Sequence, residues 1–248
     1  MNDVERPIEL SAITPDFRDR IRAQIWHTPD FETVQEEMRK IHAGRIKGKM
    51  PAINHYYFYA ERTKAKVYNC NGAFYDAMTS DAAFDFVYCQ AVRYLWDGAR
   101  GIWKYNNGGG RYIYLAMIST AQLFRSYHLP STFNLAVAKR IISKYAINDI
   151  VFDFACGWGN RLVACLSEGK SYWGVDTNPA LVERLNECAK DYIATTGTGA
   201  SYDIRCKPSE ERIADYHGRV GLCFSSPPYF DCEIYNGEKT STTLHPTY

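Results

Sequence analysis

Three stretches of the chain combine residue types and spacings suited to ligand chemistry. In VFDFACGWGNRL (residues 151–162) an apolar run ends at Asp153, a tight turn carries Gly157 and Gly159, and a helical pattern follows directly. Glycine at two turn positions lets a backbone approach a ligand and take torsions that a Cβ would hinder. In SYWGVDTNPALV (171–182) a second apolar run ends at Asp176, and Asn178-Pro179 opens the next helical pattern. In LCFSSPPYFD (222–231) a third run stops at Ser226-Pro227-Pro228-Tyr229.

Each stretch implies a task. Asp176 follows Asp153 by 23 residues, near the spacing at which an acid about 20 positions past a glycine turn accepts from ribose hydroxyls. A carboxylate accepts from both hydroxyls of a cis-diol and disfavours a 2′-phosphate. The competing use of Asp176 is to cap the helix that begins at Asn178. After Gly159 come Asn160, Arg161 and Leu162, a departure from G-x-G-x-x-G, and no Gly-Lys-Ser/Thr is present, which argues against a phosphate cradle for ATP. A turn of this kind suits a nucleoside that carries an amino acid, which points to S-adenosylmethionine. In the third stretch, two successive prolines stop the strand and take the Pro227 carbonyl out of any ladder. Ser226 Oγ and that carbonyl could accept the two hydrogens of an exocyclic amine and favour a tetrahedral nitrogen. Tyr229, with Phe230 beside it, would stack on a flipped base. The competing reading is a proline-rich turn and nothing more.

These residues need a frame. A capped start and apolar residues at Leu135, Ala138, Ile141, Ile142 and Tyr145 predict a helix over 131–145 that feeds a strand at 149–152. A helix through Cys165 follows, then a strand to Asp176, a helix over 179–192 and a Thr/Gly-rich loop. Next come a strand at 201–206, a short helix at 209–216 and a strand at 220–224. Strands alternating with helices predict an α/β domain with a mostly parallel sheet. Residues 1 to about 50 read as polar and helical; Thr28-Pro29-Asp30 opens a helix with acids early and bases late. Its basic end (Arg39, Lys40, Arg45, Lys47, Lys49) is either a solvated face or a phosphate contact. Residues 51–125 are rich in aromatic residues, which either pack a core or stack on bases beside Lys and Arg. Residues 106–110 read as a flexible loop.

Together the three motifs resemble those of the class I S-adenosylmethionine-dependent methyltransferases, in particular the DNA amino-methyltransferases that modify adenine N6 or cytosine N4. DFACGWG is similar to their D-P-F-x-G-S-G motif, GVDTNP to their strand-2 acid motif, and SSPPYF to their (D/N/S)-P-P-(Y/F) motif. Phe133-Asn134 resembles the family's F-x-P/F-N element near the methionine carboxylate. The resemblance spans roughly residues 131–235 and does not reach the first 125.

It implies a Rossmann-like methyltransferase sheet within an S-adenosylmethionine-binding catalytic domain at 126–248. An aromatic-rich, mainly helical N-terminal region at 1–125 precedes it and would serve substrate or target recognition. S-adenosylmethionine would be held by Phe133, Asn134, Asp153, Ala155, Gly157, Gly159, Asp176 and Asn178. Ser226, Pro227, Pro228 and Tyr229 would act on a base of DNA, while RNA bases or a protein glutamine are the other substrates that such motifs serve. Phe154 and Trp158 stand where the family has Pro and Ser/Thr. The segment after the third strand lacks the Asp that meets the adenine amine, a place that Ser209 or Glu210 would fill. Ser226 in place of Asp leans toward cytosine N4.

Whole-chain properties set limits. A formal net charge of +1 gives no global pull toward polyanions, so a nucleic-acid surface must be a local patch. With 46% apolar and 15% aromatic residues in 248, the chain can bury a sizeable core, as one large domain or two small ones. The eight cysteines form no Cys-x-x-Cys pair, so free thiols in a reducing compartment are expected, and no metal site. The start lacks a basic, then apolar, leader, and no run approaches the roughly 18 apolar residues that span a bilayer. The expected location is cytoplasmic, with no membrane contact. Only 24 residues follow Phe224, whereas the family fold continues with three more strands. The expectation is a sheet lacking its last strands, its edge covered by the N-terminal region, by a second chain or by the rest of a longer enzyme. The alternative to an enzyme is a non-catalytic or split module that binds nucleic acid or completes its sheet with a partner chain. A dinucleotide oxidoreductase would leave Ser-Pro-Pro-Tyr unexplained.

Overall fold

Side-chain caps decide where most of the helices begin. Thr14 accepts from the Phe17 amide ahead of α1 (Pro15–Ile25), and Asp30 from the Thr33 amide ahead of α2 (Phe31–His42). Pro51 opens α3 (Pro51–Ile53), which runs through a π-helical turn (Asn54–Phe58) into α4 (Tyr59–Lys64). After β1 (Lys66–Val67) come α5 (Phe74–Thr79) and α6 (Asp81–Leu95), the second capped by Ser80. The short strands β2 (Trp96–Asp97) and β3 (Ile102–Trp103) follow. Asn134 caps α7 (Leu135–Tyr145), which leads into β4 (Ile150–Asp153), α8 (Asn160–Ser167) and β5 (Ser171–Asp176). Asn178 caps α9 (Pro179–Thr196), and β6 (Tyr202–Cys206), β7 (Leu222–Cys223) and β8 (Glu233–Ile234) complete the order. This computed structural model describes residues 7–46, 48–67, 70–100, 102–103, 116–118, 120–121, 127, 129–209, 211, 216–227 and 233–234. Among them no helix is long and apolar enough to cross a membrane.

The chain divides into two units. One comprises Met1–His27, Thr63–Pro130 and Cys232–Asn236. Here α1 and α6 are clamped by charge: Arg18 donates to both oxygens of Asp85 (2.8 and 2.6 Å) and Arg22 to Asp81 (2.6 Å). Phe17 meets Tyr88 edge-on at 5.5 Å, and the Tyr88 hydroxyl donates to the Ile8 carbonyl at 2.7 Å. β1 pairs antiparallel with β8, and β2 with β3. Of the aromatic rings here, Phe74, Phe84 and Tyr88 are buried, while Tyr75, Phe86 and Tyr94 are exposed. Core packing and surface display are thus both realised. The glycine-rich stretch 106–110 lies outside the described residues.

The other unit comprises Thr28–Arg62, Ser131–Asp231 and Gly237–Tyr248. It is α/β, with a four-stranded, fully parallel sheet in the order β6-β5-β4-β7. α9 packs on β5 and β6, α8 on β5, and α7 on α8. α7 buries Leu135, Ala138 and Ile142, but Tyr145 at its end is 55% exposed. The ladder fixes the ends of the strands: Asp153 faces Gly174 across β4 and β5, so Asp176 projects two residues beyond the end of β4. β7 is shorter than the strand expected at 220–224, and the residues flanking it keep one backbone bond each to β4. Gly221 N–H donates to Ile150 at 2.8 Å and Phe224 N–H to Phe152 at 2.9 Å. Most of the helix expected at 209–216 lies outside the described residues.

Residues 28–62 belong with the sheet, not with the rest of the first 125 residues. The reason is a set of contacts to α9. α2 packs on it, Gln35 donates to Thr195 (3.5 Å), and the Tyr57 hydroxyl donates to Asp191 (2.7 Å). Glu37, 7% exposed on α2, accepts from the Ile53 amide at 2.8 Å and so satisfies the start of the helix at Pro51; its burial raises its pKa. The basic end of α2 is solvated: Arg39 is exposed and Lys40 pairs with Glu36.

Candidate functional site

The site is built around a carboxylate that solvent never reaches. Asp153, at the end of β4, is 0% exposed, and its two oxygens accept from five donors. Oδ1 takes the Ala155 amide (3.2 Å), Ser225 Oγ (2.7 Å) and Arg161 Nη2 (3.4 Å). Oδ2 takes Arg161 Nε and the Tyr172 hydroxyl, at 2.6 and 2.7 Å. Arg161 Nη2 also donates to the Ala155 and Cys156 carbonyls. Burial lowers the pKa of Arg161, but the charge and hydrogen bond of Asp153, with Tyr172 and Cys156 beside it, together make the net shift upward. Burial and the same charge push the Tyr172 phenol and the Cys156 thiol up. Asp153 thus spends its oxygens inside the protein and fixes the loop that runs from Ala155 to Arg161.

That loop is the glycine turn. Gly157 (φ 57°) and Gly159 (φ 75°) both adopt left-handed torsions. At Gly159 there is a steric demand as well: a Cβ would lie 2.4 Å from the ring of Phe58, on the π-helical turn. Cys156 donates its thiol to the Val175 carbonyl at 3.2 Å, a position open only because residue 174 is glycine. Asn160, first residue of α8, is 4% exposed and its Oδ1 has no hydrogen-bond partner among the described residues.

Asp176 lies across from this turn. Its Oδ2 accepts from the Gly157 amide (3.3 Å) and its Oδ1 from the Asn178 amide (3.0 Å). Burial pushes its pKa up, with the two amide donors working against that. Each oxygen keeps a second lone-pair direction, so supporting the turn and receiving hydroxyls are compatible. Asn178 is buried and caps α9 by accepting from Leu181 (3.2 Å). Lys207 N–H returns to the Asp176 carbonyl (3.0 Å), which brings the segment carrying the exposed Ser209 to the same sheet end.

The remaining expected residues divide. Phe133 is brought to the site: its ring meets Phe224 edge-on at 5.5 Å, and the Arg161 guanidinium lies 5.6 Å over it. Asn134 is exposed and caps α7, accepting from Val137 at 3.1 Å. Ser226 is half-buried and Pro227 exposed, both directly after Ser225. Pro228 and Tyr229 lie outside the described residues. Arg161, Tyr172, Ser225 and Phe58 escape the sequence reading. One signal was available: an arginine in the first turn of a helix opposes the helix dipole, so Arg161 needed a buried anion to hold it. In comparisons with protein-family models, curated proteins and solved structures, the chain matches none of them.

Proposed function

We propose that the sheet unit is a Rossmann-like, S-adenosylmethionine-dependent methyltransferase acting on an exocyclic amino nitrogen of a DNA base, cytosine N4 or adenine N6. The observation that carries this reading is the 2.7 Å hydrogen bond from Ser225 Oγ to Asp153 Oδ1. It ties the strand end bearing Ser226-Pro227 to the strand end bearing the glycine turn. A cofactor end and an acceptor end thereby share one anchor. The strand order β6-β5-β4-β7 supports this reading, because a doubly wound sheet sets its third, second, first and fourth strands side by side in that sequence.

The residues present fit the cofactor. Gly157 holds a left-handed turn beside Asp176, Asp176 keeps acceptor capacity for a ribose diol, and Asn160 Oδ1 is a buried acceptor that finds no donor among the described residues. When bound, S-adenosylmethionine would supply an electrophilic methyl group. The chain's part is positioning, which is worth most in an in-line displacement. Asp176 and the turn hold the nucleoside. Ser226 Oγ and the Pro227 carbonyl accept from the amine hydrogens and aim its nitrogen, while Tyr229 stacks on the base. The test is transfer of labelled methyl from S-adenosylmethionine to DNA, followed by nucleoside analysis. N4-methylcytosine or N6-methyladenine is expected with the native chain and a loss of at least about 100-fold with Ser226→Ala. Salt-dependent DNA binding without transfer would instead make the chain a binding module.

A further inference from the structure

The helical run through α3, the π turn and α4 lies outside all three motifs, yet it reaches the glycine turn. Phe58 makes the contact, its ring filling the space that a Cβ on Gly159 would need. Asn54 and Arg62 stand four residues before and after Phe58, a spacing that keeps side chains on one face of a helix. Both are chemically incomplete. Asn54 Oδ1 is out of solvent contact with no hydrogen-bond partner among the described residues, and so is Arg62 Nε. Burial lowers the Arg62 pKa to about 10, with the Tyr59 phenol working against it and no carboxylate among the described residues contributing. The guanidinium lies 6.0 Å over the Tyr59 ring. On the other side of the Phe58–Gly159 contact, Asn160 adds its own unpartnered acceptor. Buried polar atoms are rarely left unmatched, and an unpaired buried cation is costly. π turns themselves cluster at functional sites.

The deficits have opposite signs. Two amide oxygens lack donors, and a guanidinium lacks an anion. A single group that supplies both is an α-amino acid end, with an ammonium for the amide oxygens and a carboxylate for the planar fork of arginine. We propose that Asn54, Arg62 and Asn160 form the receptor for the zwitterionic amino acid end of the ligand whose nucleoside Asp176 holds. This rests on the methyltransferase reading and assigns the methionine end of its cofactor to a helix that precedes the motifs. Asn134, which spends its side chain on capping α7, is not part of the receptor.

The test uses the full chain and two ligands in calorimetric titration. One is S-adenosylmethionine; the other is 5′-methylthioadenosine, which has the nucleoside and thioether but no amino acid end. Arg62→Gln and Asn160→Ala should each weaken S-adenosylmethionine by roughly tenfold or more and leave methylthioadenosine within about twofold. Arg62→Lys should recover part of the loss, and thermal melts check that each variant folds. If Arg62→Gln does not fold, Asn54→Ala carries the same differential. Equal losses for both ligands, or none for either, overturn the assignment and leave the nucleoside site standing. Native chain that binds both ligands equally overturns it as well. Native chain that binds neither overturns the methyltransferase reading, and this inference with it. Loss of DNA retention alone on Arg62→Gln would give the guanidinium to a phosphate and overturn the assignment too.

Discussion

Asp153, fully buried, and Arg62, half-buried with its Nε out of solvent, are charged groups of the same unit, and they are treated in opposite ways. Asp153 has a counter-charge and five donors. Arg62 has an aromatic neighbour and an Nε with no partner. A buried charge with a complete set of partners is scaffold, because its neighbours are held as tightly as it is. A buried charge without one is a cost that the fold carries, and such costs collect where a ligand completes them.

The two arginines should therefore respond to substitution with opposite signs. Arg161→Leu strands the Asp153 carboxylate in the interior and should cost about 3–5 kcal/mol in urea unfolding. Arg62→Met removes a charge that no described carboxylate pairs and should be neutral or raise stability by about 1 kcal/mol. A similar large loss at both would erase the distinction. Gly159→Ala comes next in size, since φ 75° and the ring of Phe58 both oppose a Cβ; about 2–3 kcal/mol is expected. Combining it with Phe58→Ala should recover the steric part and leave the torsional part, which a double-mutant cycle measures. Asn134→Ala should cost about 1 kcal/mol as a lost helix cap, with ligand affinity unchanged.

The smallest effect concerns pH. The fold raises the Asp176 pKa, so its contribution to stability is fully present below the unfolded value of about 4 and is lost as pH rises through the raised folded value. Asp176→Asn should flatten stability against pH in that window. Hydroxyl donors favour the carboxylate, so ligand binding there should release protons, which titrations in buffers of different ionisation enthalpy would detect.

Much of this frame was legible in the sequence because its signals are local. The helix starts at Asp30 and Asn178, the two turn glycines and the strand ends at Asp153 and Asp176 are each read from a few neighbouring residues, whereas the cap of α7 proves to be Asn134 and not the start expected at 131. What was not legible depends on distant partners. Residues 28–62 look like part of an aromatic-rich first half until Tyr57 and Gln35 are seen to meet α9. Asp153 reads as a ligand group until Arg161, Tyr172 and Ser225 are found to consume its lone pairs. The neighbouring serines 225 and 226 are indistinguishable by type, and only the 2.7 Å bond from Ser225 assigns it to the anchor. Helical periodicity places Asn54, Phe58 and Arg62 on a face but is silent about the glycine turn that Phe58 meets.

The most direct test of the central claim is a calorimetric titration of the full chain with S-adenosylmethionine beside its Asp176→Ala variant. Saturable one-to-one binding by the native chain, lost in the variant while its melt is unchanged, is the result expected of a nucleoside site at Asp176. No binding by the folded native chain, or equal binding by both, would contradict it.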